Sequence, residues 1–239
     1  MRAIVCGANG AMGQLVQKSL HGQAVGLVSI DGENGVPKTF EELGNVNADI
    51  IIDFSHHSAI GSVMEYAIAQ GCGVVVGTTG HTEEEKALIF EAAKKIPVFF
   101  SGNMSLGIAV LCRLAKQAAA AFPDADIEIM EVHHNRKVDA PSGTAKMIFE
   151  AVREARPEAT ANCGRAGEGK RTKEEIGISS LRMGNVVGIH EVYVTTGSET
   201  ITIRHEAHAR SLFANGALTA AEFLIGKPAG LYDMKTLLK

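Results

Sequence analysis

The sequence predicts an α/β chain: an open parallel sheet wound with helices, followed by an α+β unit whose open sheet is mixed or antiparallel. Three observations predict it. Short β-branched runs alternate with helical patterns up to residue 104. Beyond that point come one long helical stretch and then strands with alternating apolar positions. A last amphipathic helix follows, of the kind that returns to cover a sheet.

In order, Ala3 to Cys6, Ala24 to Ile30, Asp49 to Phe54, Gly73 to Val76 and Val98 to Phe100 read as buried parallel strands, being short, apolar and bounded by turn residues. Between them Met12 to His21, Ser58 to Gln70 and Thr82 to Lys95 read as helices. The last opens on a capping box, Thr82 with Glu85. Asp31 to Asn47 is too short for a full βα unit and holds one brief turn of helix at Thr39 to Leu43.

Ser105 to Phe122 is Ala- and Leu-rich and stops at Pro123, a helix with its terminator, and Asp126 to Val132 reads as the next strand. Ile176 to Arg182, His190 to Thr196 and Thr200 to Glu206 read as antiparallel strands joined by turns at Met183-Gly184-Asn185 and Gly197-Ser198. Cys163 to Gly177, with four glycines beside Arg165, Lys170, Arg171 and Lys173, reads as a mobile charged loop and a candidate lid. The helix Leu212 to Ile225 is expected to dock on the first domain. This gives residues 1–104 plus 211–239 as one domain and 105–210 as the other.

Composition narrows the function. A chain of 239 residues with 46% hydrophobic and 21% charged residues can bury a sizeable core. Its 23 basic against 27 acidic residues leave a formal charge of -4, which supplies no footprint for nucleic acid or an anionic membrane. No apolar run is long enough for a membrane helix, and Met1 to Cys6 leads into glycines instead of a signal-peptide core. Cys6, Cys72, Cys112 and Cys163 form no CxxC pair, which fits a reducing cytoplasm.

The chemistry begins at Gly7-Ala8-Asn9-Gly10-Ala11-Met12-Gly13. These residues follow the first strand and open the first helix, so the glycines can make a tight turn, admit a pyrophosphate and pack helix on strand. The second strand is expected to end at Asp31, where a carboxylate accepts hydrogen bonds from ribose hydroxyls and repels a 2′-phosphate. A solvated turn acid is the alternative there. The strand, glycine turn, helix, strand and acid together make a Rossmann-like dinucleotide-binding domain. No arginine follows Asp31 and the nearest downstream cation is Lys38, so NADH should be accepted at least as well as NADPH. Gly77-Thr78-Thr79-Gly80 and Ser101-Gly102-Asn103-Met104 sit at strand carboxyl ends, where open α/β sheets bind ligands, and are assigned to the nicotinamide side of the cofactor. His56 and His57 follow the third strand without a completing carboxylate or cysteine, which favours surface histidines over a metal pair.

The run Glu131 to Ala145, EVHHNRKVDAPSGTA, packs histidines, cations, acids and a helix start into one stretch. Pro141 blocks helix before it and Ser142 is a good N-cap, so the N–H groups of Gly143 and Thr144 should lie in the first turn of a helix reaching about Ala155. An anion there would gain about 0.3–2 kcal/mol from the helix dipole, with Lys137 or His134 adding charge-assisted hydrogen bonds. A solvated loop with a plain cap is the competing reading.

The segment HHNRKVDAPSGTA resembles the signature of the dihydrodipicolinate reductase family of lysine and diaminopimelate biosynthesis. The likeness extends to Gly7–Gly13, Gly77–Gly80, Asn103–Gly107 and Phe213–Ala217, in the family's order. It implies NAD(P)H-dependent reduction of a cyclic imine dicarboxylate to tetrahydrodipicolinate. His133 would be the acid/base residue and Lys137 the proton donor, with His134, Gly143 and Thr144 binding the substrate carboxylate. It also implies a cytoplasmic homotetramer built through the second domain's exposed sheet, which makes residues 105–210 a substrate-binding and oligomerisation domain. The chain departs from the family in being short between Asp31 and Asp49 and in lacking an arginine beside the 2′-phosphate position. Two other classes stay open on the residues alone: a dinucleotide-sensing protein without catalysis, and a hydrolase with Ser142 as nucleophile. The second lacks the G-x-S-x-G elbow.

Overall fold

The computed structural model describes all residues, Met1–Lys239, and they divide into two compact units, Met1–Ser105 with Arg210–Lys239, and Leu106–Ala209.

The first unit opens β1 (Ala3–Cys6), α1 (Ala11–Ser19), β2 (Ala24–Val28), α2 (Phe40–Leu43), β3 (Ile50–Asp53), α3 (Ile60–Gln70), β4 (Gly73–Val76), α4 (Glu83–Ala92) and β5 (Pro97–Phe100). β1, β3 and β4 are buried at every position, as expected of a parallel sheet covered on both faces. α4 starts on the capping box, with Thr82 and Glu85 satisfying each other's backbone N–H groups. β2 stops at Val28, two residues before the predicted end. There the chain leaves the sheet, as Ser29 N–H donates to Pro37 and Gly32 N–H turns back to Ser29.

The second unit contains α5 (Leu106–Ala121), β6 (Asp126–His133), α6 (Gly143–Arg153), β7 (Thr160–Asn162), β8 (Glu175–Arg182), β9 (Gly188–Thr195) and β10 (Thr200–Ala207). Its sheet runs β10-β9-β6-β8-β7. The predicted antiparallel pairing of β8 with β9 is corrected: β6 lies between them, parallel to β8 and antiparallel to β9. The turn at Met183–Asn185 therefore steps over the end of β6, and only β9 and β10 form a hairpin. The sheet is mixed. One face carries Ile127, Ile129, Ile176, Ile178, Val192 and Val194 against α5 and α6.

The charged loop is shorter than predicted, because Glu175, Ile176 and Gly177 belong to β8. It is also tied down: Arg171 Nη1 pairs with Asp126 at 2.6 Å, Lys173 with Asp124 at 2.7 Å, and Arg165 with Glu175.

The chain then returns through α7 (Ser211–Leu224), β11 (Gly230–Tyr232) and α8 (Met234–Leu237) to the first unit. α7 packs on α1, β4 and β5, and β11 adds a parallel edge strand, giving the order β11-β5-β4-β3-β1-β2. The sequence reading missed β7 and β11, each three residues long, too short to show periodicity.

Candidate active site

In the first unit the glycine turn is built by close approach. Gly7 has φ +73°, and a Cβ there would overlap the Phe54 carbonyl. A Cβ at Gly13 would overlap the Gly7 carbonyl, so the helix sits directly on the turn. Gly7 and Ala8 N–H both donate to Val28 O, and Asn9 N–H reaches the Ser29 hydroxyl at 3.4 Å. Gly10 is the N-cap of α1 and no side chain caps that helix, so the N–H groups of its first turn, at Ala11 and Met12, have no side-chain acceptor. This cradle fits a pyrophosphate.

Although Asp31 lies beyond the end of β2, the turn at Ser29 brings its carboxylate to the glycine turn. Asp31 accepts from Asn9 Nδ2 at 2.5 Å and from Glu33 N–H at 3.1 Å. The Asn9 bond and then the Glu33 bond hold its pKa below the usual carboxylate range, so it is ionised. A cavity of about 490 Å³ is lined by Gly7, Gly10, Asp31, Lys38, Phe54 and Ser55 among others. Lys38 folds over Gly32, where a Cβ would strike its side chain.

Of the other assigned residues, Thr78 is buried and donates to Asp53 at 2.7 Å, and Asp53 also accepts from the Ser55 hydroxyl at 2.5 Å. Burial raises the Asp53 pKa against those hydrogen bonds. Asp53 thus ties the loops after β3 and β4 together, a link the sequence reading did not find. Gly77 packs under the Phe54 ring, and Thr79 lies beside Gly102. The Ser101 hydroxyl donates to Asn103 O at 2.8 Å, and Asn103 Oδ1 accepts from Ser105 N–H at 2.9 Å. Met104 is buried, its carbonyl against Gly216 of α7. His57 Nδ1 lies 2.8 Å from Glu85 and His56 Nδ1 lies 2.8 Å from the Ser58 hydroxyl, so both histidines have local partners.

In the second unit His133 ends β6 with its ring buried. Its Nδ1 lies 2.5 Å from Glu131, which is fully buried two residues earlier on the same strand face. Arg182, the register partner of His133 on β8, donates to both Glu131 oxygens at 2.8 and 2.7 Å. Ser142 N–H donates to Glu131 at 3.1 Å, and the Ser142 hydroxyl caps α6 by accepting from Ala145 N–H at 3.2 Å. His190, the register partner of Glu131 on β9, lies 3.4 Å from that hydroxyl, and burial pushes its pKa down to about 3.

The run after His133 is latched to the turn before β9, with Met183 N–H on His133 O, Asn135 N–H on Gly184 O and Arg136 on Asn185. His134 is half-buried in this run, and its carbonyl accepts from Lys137 N–H at 3.1 Å. Lys137 Nζ lies 2.7 Å from Asp139. Lys137 and the Gly143 N–H at the start of α6 both hold the Asp139 carboxyl below its usual range, and Thr144 follows in the same first turn. His133 is thus linked through Glu131 to Ser142 at the α6 N-terminus, and Lys137 is paired with Asp139 in the same run, whereas Glu131, Arg182 and His190 were given no role from the sequence. The i, i+2 spacing of Glu131 and His133 on a strand was the available signal. Arg182 and His190 come in only through the sheet order.

A glycine-cradled dinucleotide fold joined to a unit with a buried histidine, a lysine and a helix N-terminus defines an NAD(P)-binding oxidoreductase. The family models described as dihydrodipicolinate reductase, N-terminus, and dihydrodipicolinate reductase, C-terminus, match residues 1–104 and 107–238. The 4-hydroxy-tetrahydrodipicolinate reductase of Alkaliphilus metalliredigens is 43% identical over 100% of this chain and 99% of its own length. The enzyme of the same name from Caldanaerobacter subterraneus is 43% identical over 100% and 98%. In fold, the dipicolinate-bound dihydrodipicolinate reductase of Paenisporosarcina sp. TG-14 matches with TM-score 0.77 at 22% identity, over 98% of this chain and 97% of its own. The chain belongs to the dihydrodipicolinate reductase family.

Proposed function

We propose that His133 is the acid/base residue and Lys137 the proton donor in this family's reaction. That reaction is the NAD(P)H-dependent reduction of 4-hydroxy-tetrahydrodipicolinate to tetrahydrodipicolinate, a step of diaminopimelate and lysine biosynthesis. The observation that carries the reading is the connected set in the second unit, in which a buried His133, a half-buried Lys137 and the first turn of α6 come from one run of the chain.

Gly7 to Met12 would hold the dinucleotide's pyrophosphate and Asp31 its ribose, with Gly77 to Thr79 and Ser101 to Met104 serving the nicotinamide side. When bound, the reduced nicotinamide supplies the hydride. The chain's own residues handle charge and protons. The substrate's carboxylate needs donors, and His134, Gly143 and Thr144 offer an imidazole and helix-terminal N–H groups. The 4-hydroxyl leaves as water to give the conjugated cyclic imine, and hydride addition to that imine leaves electron density on the ring nitrogen, which Lys137 protonates; such assistance is typically worth about 10²–10⁴ in rate. The neutral His190 beside Ser142 adds no charge that would compete for the diacid.

The ionised Asp31 supports NADH being accepted at least as well as NADPH. The family resemblance supports a cytoplasmic homotetramer assembled through the sheet face of the second unit that α5 and α6 leave uncovered. A dinucleotide sensor without catalysis would have no use for the Glu131–His133–Arg182 set. Steady-state oxidation of NADH and NADPH in the presence of the cyclic imine tests the reading. Substrate-dependent turnover supports it, and dinucleotide binding without turnover removes it.

A further inference from the structure

Glu131 is fully buried, and its carboxylate takes four hydrogen bonds: one from the His133 ring, two from Arg182 and one from Ser142 N–H. We propose that Glu131 is a positioning residue for the reduction, fixing the tautomer and orientation of His133 and, through Arg182 and Ser142, the segment that carries Lys137 and the start of α6. The inference rests on His133 being the acid/base residue.

The hydrogen-bond inventory carries it. An ionised carboxylate only accepts, so the His133 nitrogen that faces it, Nδ1, must carry the proton. In the neutral ring that leaves Nε2 as the nitrogen with a free lone pair. Burial alone would raise the Glu131 pKa, but the bonds from His133, Arg182 and Ser142 outweigh it and keep the carboxyl far below its usual range, so it stays ionised at any working pH. The space around Nε2 agrees. Gly188, at the start of β9, has no side chain, and a Cβ there would come within 3.1 Å of that nitrogen.

The same carboxylate reaches the lysine. Arg182 Nη2 donates at 2.7 Å to Glu131 and at 2.6 Å to the carbonyl of Asp139, whose side chain holds Lys137 at 2.7 Å. Ser142 N–H on Glu131 fixes the residue that caps α6. A buried ion pair is weak evidence for stability, since apolar residues of similar volume often replace one at little cost. Three separate tethers from one carboxylate to the proton-handling histidine, the lysine segment and the helix cap are a positioning arrangement.

The other charged or titratable groups around His133 are Arg182 on β8 and His190 on β9, with His205 and Lys137 close enough to weigh on His190. None of these offers Nδ1 an acceptor in place of Glu131.

The test combines nitrogen NMR with kinetics on the full chain. Long-range ¹H–¹⁵N spectra of the wild type should show His133 protonated at Nδ1, and an Nε2–H tautomer there overturns the proposal without any variant having to fold. In Glu131→Gln the tautomer should become mixed or reversed, and kcat on the cyclic imine should fall about 10- to 100-fold with NADH affinity unchanged. Glu131→Asp should recover part of that loss. The double variant Glu131→Gln/His133→Gln should lose less than the product of the two single losses, because the arm through the ring is already gone in His133→Gln and only the arm to the Lys137 segment is left to lose. Full additivity, or turnover within about twofold of wild type in Glu131→Gln, sinks the proposal. If His133→Gln alone turns over normally, the acid/base assignment fails instead, while the tautomer in Glu131→Gln still reports whether Glu131 sets the ring.

Discussion

Lys137 Nζ lies 2.7 Å from Asp139 Oδ1, and the carbonyl of the same Asp139 accepts from Arg182 Nη2 at 2.6 Å. The lysine proposed as proton donor is thus held by a carboxylate of the chain itself. An incoming diacid has to compete with Asp139 for that lysine. Asp139→Asn removes the competing charge and should tighten binding of a pyridine dicarboxylate about two- to fivefold, the scale of a partly exposed ion pair. Calorimetry on wild type and variant checks this, and weaker binding would show that Asp139 orients the lysine for the ligand instead.

Lys137→Ala and His133→Gln should each lower kcat at least about a hundredfold, because each removes a group proposed to handle a proton. Neither residue belongs to the first unit, so NADH affinity by fluorescence titration should stay at the wild-type value. A variant with near-normal turnover would remove that residue from its role.

Asp31 and Lys38 line the same cavity with opposite charge, and the proposed cofactor choice rests on them. Asp31→Ala should weaken NADH by losing the ribose acceptor while improving NADPH, since the repulsion of a 2′-phosphate goes and Lys38 remains. Lys38→Ala should weaken NADPH and leave NADH nearly unchanged. Dissociation constants for both dinucleotides on the three proteins test this. NADPH binding far more tightly than NADH to the unmodified chain would contradict it.

The first five strands of the parallel sheet were legible because each is a short, largely apolar run, and β1, β3 and β4 prove buried along their whole length, whereas the three-residue edge strand β11 carried no such signal. The glycine turn was legible for a steric reason: Gly7 and Gly13 stand where backbone meets backbone, and a Cβ fits at neither. The second sheet was only half legible. Alternation in β8 and β9 marks both as strands but does not say which neighbours they take, and the insertion of β6 between them is what delivers Arg182 and His190 to Glu131. Asp31 shows the reverse case, a wrong strand end with the right neighbourhood, because the Ser29 turn carries its carboxylate back to Asn9.

Acid should destabilise the second unit through His190. Its folded-state pKa is depressed to about 3, chiefly by burial, and next by the neighbouring His133. An unfolded histidine titrates near pH 6.5, so below that value the unfolded chain takes up a proton that the folded chain refuses. The contribution of neutral His190 is therefore complete above about pH 6.5 and declines as pH falls toward 3, amounting to about 2 kcal/mol lost by pH 5. The depressed Glu131 carboxyl acts in the same direction, but only below the unfolded glutamate value of about 4.3, which separates the two windows. His205 and His81 are also depressed by burial and act in the same window, so wild type must be compared with His190→Gln. Urea unfolding at pH 7.5 and pH 5 should show a smaller loss for His190→Gln than for wild type. Equal losses in the two proteins would mean that His190 is protonated in the folded state and hydrated more freely than its buried position between Glu131 and His205 implies.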